Sequence, residues 1–354
     1  MGTQRGTEEE SADGVSTPLE RSERLWREHL TQLVDADQLQ AYGRQSLSDT
    51  VISIGVVWLE VIALLAVANL LPRLALGLAI PVGIVVVILI GLRMNAFGVI
   101  IHEAAHGSLV KSRPLNDRIC NWAVAFWTIN SVEEYRPTHR LHHRYLGQER
   151  DPDRVFYCVP AHRGALTAVI LQDLLGITAF KRATSRISGT SQASGAPASL
   201  LAKPHLLVGK VVTQLIVLGQ FILFQGLALG VAFYIVFWLI PIVCLFPMLV
   251  RLKTFTEHFD PPLRQANSTH WIARTSLAGR LQNHIIGARM EYHFEHHVFP
   301  AIPFRGLQRL HKCLDETGLF VEHQELLSGG YVQFTTRAVM NSFGKQDATA
   351  QAAG

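Results

Sequence analysis

Cysteine is scarce in this chain. Cys120, Cys158, Cys244 and Cys313 are the only four, they lie far apart, and no two form a CxxC pair. That argues against a disulfide framework and a zinc ribbon, and it fits a reducing compartment. Charge is scarce as well: Asp, Glu, Lys and Arg make up 17% of the 354 residues against 49% apolar residues, which is unusual for a soluble chain of this size. The net charge of +4 is mild and sits mostly in loops, so no nucleic-acid partner is expected. The first 20 residues contain neither an apolar run nor a cleavage-site pattern, and no signal peptide is read there.

The apolar residues that dominate are concentrated in four runs, at about residues 51–71, 74–92, 206–227 and 229–250. Each has the length of roughly 20 residues that a helix needs to cross a hydrocarbon core. Pro72-Arg73 separates the first two and the stretch near Gly226 and Gly230 separates the last two. The pattern predicts an all-α membrane protein, with four transmembrane helices in two hairpins and a cytosolic helical cap. The hairpin tips carry Arg73 alone. The opposite ends carry Arg21, Arg24, Arg27, Arg44, Arg93, Lys111, Arg113, Lys181, Arg182, Lys203, Arg251 and Lys253. By the positive-inside rule the termini and the long central segment are cytoplasmic.

Around this frame, residues 1–20 read as a disordered N-terminus, 21–48 as an amphipathic cytosolic helix, 49–325 as the membrane domain and 326–354 as a C-terminal tail. The apolar stretch from Cys120 to Ile129 is too short to span and reads as a re-entrant or interfacial helix. The Ser/Ala/Gly-rich stretch from Lys181 to Pro204 reads as a flexible loop. Glu60, Asn69, Gln214 and Gln225 are polar within the runs and predict hydrogen bonds between helices.

Half of the 16 histidines fall into three motifs: His102-Glu-Ala-Ala-His106, His139-Arg-Leu-His142-His143 and His293-Phe-Glu-His296-His297. On a helix, positions i, i+3 and i+4 share one side, so each motif directs two or three imidazoles to one place. Eight imidazoles without thiolates exceed what a single four-coordinate zinc takes, and two metal ions are the natural count. If the second span continues as helix past Leu92, His102 lies about 15 Å beyond the hydrocarbon edge. If the fourth continues past Arg251, Glu257-His258 lies about 10 Å beyond the same edge. His258 thereby becomes a ninth candidate ligand. Glu103, Asp151, Glu257 and Glu295 are candidates to accept imidazole N–H groups and orient the rings. The remaining His29, His162, His205, His270, His284, His311 and His323 show no such spacing and read as structural or solvated.

His102-Glu103-x-x-His106 also satisfies the HExxH pattern, in which Glu serves as the base of a zinc protease. A zinc intramembrane protease needs one further ligand rather than two HxxHH clusters, which makes it a distant alternative.

The ensemble resembles the membrane fatty acid desaturase family. The resemblance is carried by His102-Glu-Ala-Ala-His106-Gly, by Thr138-His139-Arg-Leu-His142-His143-Arg144 with Asp151-Pro-Asp153, by Thr256-Glu257-His258, and by Glu291 through Pro303 around the third box; it covers about residues 50–320. It implies four transmembrane helices under a cytosolic cap, a di-iron centre held by histidines, a kinked substrate tunnel, and His258 among the ligands. The implied reaction is O2-dependent desaturation of a fatty acyl chain, acyl-lipid, acyl-CoA or acyl-ACP, with no catalytic side chain beyond the metal ligands. Members that desaturate towards the carboxyl end often replace the first His of the third box with Gln and carry a fused cytochrome b5 domain with a His-Pro-Gly-Gly motif. Here His293 is present and that motif is absent, so a separate ferredoxin or cytochrome b5-like electron donor is implied. Arg136, Arg140, Arg144, Arg150 and Arg154 offer it, or an acyl-carrier phosphate, a basic surface. Hydroxylation or ketolation of a lipid or carotenoid at the same site is the alternative within this chemistry.

Overall fold

The computed structural model describes residues 18–159, 164–188, 203–259, 273–288 and 290–337. The expectations for residues 1–17 and for the chain end beyond residue 337 lie outside them. Among the described residues helix prevails, and the strands amount to one parallel two-residue bridge, Thr275–Ser276 with Leu327–Ser328.

Four helices are long and apolar enough to cross a membrane: α3 (Leu47–Leu70, running on through a tight turn to Arg73), α4 (Leu76–His106), α10 (Pro204–Gln225) and α11 (Leu227–His258). Local signals set their ends. Ser46 caps α3 by accepting the Asp49 N–H at 3.2 Å, and Pro72 closes it. α4 does not stop at Leu92. It runs to Gly107, which at φ +78° closes the helix with its N–H on Ala104 O, while Ser108 N–H reaches Glu103 O. Between α10 and α11 the chain turns at Gly226 (φ +77°), and a Cβ at Gly230 would lie 2.6 Å from Ile222 Cα. Only glycine permits that approach. α3 packs on α4 and α10 on α11.

Two readings need correction. The segment taken as one amphipathic helix is two, α1 (Pro18–Leu33) and α2 (Ala36–Tyr42), because Asp35 adopts extended backbone and caps the second. The stretch taken as a loop from Lys181 opens in helix α9 (Ile177–Ser188), which follows the short α7 (Arg154–Tyr157) and α8 (Ala165–Leu174). Its described part, up to Ser188, precedes the glycine-rich portion. From Cys120 to Ile129 the chain continues α5 (Arg113–Cys120) through a π turn and a 3-10 turn, and Ile129 at φ +59° ends it. Thr213 and Gln214 of α10 donate to the carbonyls of Phe126 and Trp127.

The polar residues within the spans bond between helices. Glu60 meets Arg93 at 2.6 Å, Asn69 donates to Gln220, Gln225 donates to Asn69, and Gln214 accepts from Tyr234 and Trp238. Two cores result. One lies among the spans around Phe97, Phe221 and Trp238; the other joins α1 to the segment that carries the third histidine box, around Leu30, Phe294 and Leu310.

Candidate metal centre

Four elements deliver the nine candidate ligands. The end of α4 carries His102 and His106, α6 (Val132–Tyr145) carries the second box, the last residue of α11 is His258, and the short α12 (His293–Val298) carries the third box. α6 starts where it does because Ser131 caps it, accepting the Glu134 N–H, while Asn121 accepts the Val132 N–H. Extension of α4 and α11 past their apolar runs puts their histidines at the level of the other two helices.

The structure brings all nine together and divides them into two groups. His102, His106, His139, His143 and His296 form one; His142, His258, His293 and His297 form the other, with ligand atoms within 4.8 Å of one another in each. The division follows helix geometry. Positions i and i+4 lie about 40° apart around a helix, and i+3 falls about 60° to the other side. So His139 and His143 face the five-histidine group and His142 the four-histidine group. The third box is used in the opposite sense: His293 and His297 enter the four-histidine group and His296 the other.

The ring nitrogens fit metal binding. Nε2 of His106 lies 2.8 Å from that of His139, His293 Nε2 lies 2.9 Å from that of His258, and His296 Nε2 lies 3.2 Å from that of His143. At metal–nitrogen bonds of about 2.1 Å, neighbouring ligands of one ion are about 3 Å apart. Neither ring nitrogen of His102 has a hydrogen-bond partner among the described residues, nor does Nδ1 of His293 or His296. Buried polar atoms left in this way are costly unless something else binds them. Burial, reinforced by neighbouring imidazoles, holds His139, His143, His293, His296 and His297 well below the usual 6.5, and so in the neutral form that binds metal. Burial also pulls on His142, but the charge and hydrogen bond of Asp151 outweigh it and the net shift is upward.

Of the four carboxylates expected to orient rings, Asp151 contacts one directly. His142 Nδ1 lies 3.0 and 3.1 Å from its two oxygens, and Asp153 N–H and Tyr157 OH also donate to it. Glu103 instead accepts the Phe304 N–H at 3.0 Å, with its other oxygen 3.9 Å from His102 Nδ1. Glu257 bonds Lys253 at 2.5 Å and stays 3.6 Å from His293 Nε2. Glu295 turns away from the box to Thr275 and to His311, which therefore is a bonded residue and not a solvated one. His284 likewise sits against Arg93 and Glu60. A contact not foreseen is Tyr135, whose hydroxyl meets His139 Nδ1 at 3.2 Å while its ring stacks on the imidazole. Its position four residues before His139 on one helix was the available signal. Arg136 is occupied by Asp117 and the carbonyls of Ala104 and Ala105, whereas Arg140, Arg144 and Arg150 are exposed.

A cavity of about 660 Å³ lies against His102, His139, His142, His258 and His293 and runs out between α11 and the α8–α9 segment, past Phe246.

The sequence profile of the family described as fatty acid desaturase matches residues 78–324, a span that contains all nine histidines and starts after α3. The chain belongs to the fatty acid desaturase family. A dihydrorhizobitoxine desaturase from Bradyrhizobium elkanii is 29% identical over 237 residues, 64% of this chain and 66% of that protein. The chain thus spans just under two thirds of the length of this curated relative.

Proposed function

We propose that this protein is a membrane-bound, O2-dependent desaturase of fatty acyl chains. The observation that carries the reading is the pair of imidazole groups, five and four, set side by side against a single cavity. We assign His102, His106, His139, His143 and His296 to one iron and His142, His258, His293 and His297 to a second. When bound, the iron pair would supply the redox chemistry that removes two hydrogens from adjacent methylenes, and these two hydrogens with O2, two electrons and two protons from the donor make two waters.

The chain's own residues select and position. Nδ1–H of His142 donates to Asp151, which leaves its Nε2 lone pair directed inward, and the Tyr135 hydroxyl meets Nδ1 of His139. The Asp151 carboxylate, an acceptor, fixes the His142 tautomer, and both contacts fix ring orientation. The cavity wall near the imidazoles excludes water and holds the acyl chain against them. Electrons come from an acidic ferredoxin or cytochrome b5-like carrier docked over Arg140, Arg144 and Arg150. His106 and His143 are the least buried of the nine. In this reading two hairpins of spans stand under a cytosolic cap, with the boxes and both termini cytoplasmic. The membrane domain extends over residues 49–325.

Metal analysis and product analysis test the reading. About two irons per chain are expected from nine ligands, and one zinc without iron would sink it. Expression in a host lacking unsaturated lipids is expected to yield acyl chains two hydrogens short. Chains that gain an oxygen atom instead would mean hydroxylation.

A further inference from the structure

The segment after the second histidine box forms two helices that the metal centre does not account for. Between Ala165 and Phe180 the one charged residue is Asp173. It is buried against Arg251, at 2.5 and 3.1 Å from the guanidinium. Arg251 is the first charge after the apolar run of α11. The turn that joins α8 to α9 lies deeper. A Cβ at Gly176 would be 3.6 Å from Cys244 Sγ, and Cys244 precedes Arg251 by seven residues. At 1.5 Å per residue the turn is roughly 10 Å towards the bilayer centre from that charge.

What the turn exposes is apolar. Leu175 is 71% exposed and Phe180 is 70% exposed, with Leu171, Leu174 and Ile177 beside them. The turn is bonded within itself: Leu175 N–H bonds Leu171 O, Gly176 N–H bonds Asp173 O, and Phe180 N–H bonds Gly176 O. Internal bonds of this kind are what an irregular segment at membrane depth requires. Gly176 turns the chain at φ +72°, and α9 then presents Lys181 and Arg182, both exposed. Leu175, Phe180 and Arg182 also line the cavity that ends at the histidines. The cavity therefore has a mouth at this turn.

We propose that α8 and α9 form a re-entrant hairpin dipping into the bilayer, and that the cavity is loaded sideways through it with an acyl chain of a bilayer glycerophospholipid, whose phosphate rests against Lys181 and Arg182. The occupant follows from the surroundings. The mouth is continuous with the apolar face of α11, and the two cations stand where the helix returns to headgroup depth. Arg182 is held ready, its guanidinium 4.7 Å from the Phe156 ring and only loosely paired, at 3.9 Å, with Asp153. The identity of the substrate rests on the desaturase reading; the placement of the hairpin does not.

The full chain in phosphatidylglycerol–phosphatidylcholine vesicles tests both. A nitroxide on Leu175→Cys, with Cys158, Cys244 and Cys313 changed to Ser, is expected to collide with dissolved O2 more than with an aqueous nickel chelate. One on Arg150→Cys is expected to do the reverse. A nickel-accessible label at 175 overturns the hairpin. In the same vesicles, with the chain iron-loaded and O2 and a reduced ferredoxin supplied, isotope-labelled saturated phosphatidylglycerol is expected to gain double bonds while still esterified, and Arg182→Gln to raise KM about tenfold, the worth of one charge-assisted contact, with little change in kcat. Desaturation of added stearoyl-CoA with the phospholipid left saturated overturns lateral loading and leaves the reaction standing. If neither is desaturated, the reaction reading falls, and the nitroxide result alone decides the hairpin.

Discussion

Asp151 anchors the four-histidine group through a single ring nitrogen, and the site's dependence on it is open to measurement. Asp151→Asn keeps the volume but removes the charge that holds His142 Nδ1–H, and iron affinity is expected to fall roughly 10–100-fold. Chelator competition on purified protein measures this; unchanged retention would remove Asp151 from the role. The buried imidazoles also predict a pH dependence for metal-free protein. His139, His143, His293, His296 and His297 are shifted downward on folding, so the unfolded chain binds more protons once pH falls below about 6.5. Stability conferred by keeping them neutral is present above that pH and is lost progressively below it. Thermal melts of the apo protein from pH 8 to 5 are expected to show a falling midpoint, which added iron shifts to lower pH. All nine histidines were legible in the sequence through spacing and depth. The direction of Glu103, Glu257 and Glu295 was not, because a carboxylate next to a histidine in sequence can leave the helix on another side and find a partner far along the chain, as Glu295 finds His311.

At the scale of elements, the caps and glycines carry the geometry. Ser131 starts the helix that holds the second box, and Ser131→Ala is expected to cost about 1 kcal/mol. Gly230 faces the backbone of Ile222 with no room for a side chain. Gly230→Val forces the α10–α11 turn apart, at a cost of about 1–3 kcal/mol. Both are read as lower melting temperatures in detergent, and an unchanged melt for Gly230→Val would mean that the turn is looser than its geometry shows. The four spans were legible because each is a long apolar run with turn residues between. Their ends were less so: α4 and α11 continue past Leu92 and Val250, because helical hydrogen bonding does not stop where the apolar run stops. The break at Asp35 and the helix after Gly176 were missed for a related reason. Composition reports burial and flexibility, whereas a cap or a left-handed glycine acts at one position.

For the molecule as a whole, Glu60 ties the first span to Arg93 of the second and to His284 of the segment before the third box. Removing its charge leaves the buried Arg93 guanidinium with His284 but without a counter-charge from Glu60, and because Glu60 is about one-third exposed, solvent screening limits the loss. Glu60→Gln is expected to lower the melting temperature while leaving iron per folded chain unchanged. Loss of iron in a normally folded variant would show that the tie positions the metal site. The sequence by itself determined that four helices are long and apolar enough to span and which nine histidines share a pattern, because apolar length and helical spacing are local properties. Only the tertiary structure decided how those nine divide, five against four, with the two identical boxes used in opposite senses. It also decided that the chain after the second box turns back beside α11 at the mouth of the cavity. Both depend on which faces of distant helices meet, and spacing along a chain does not specify that.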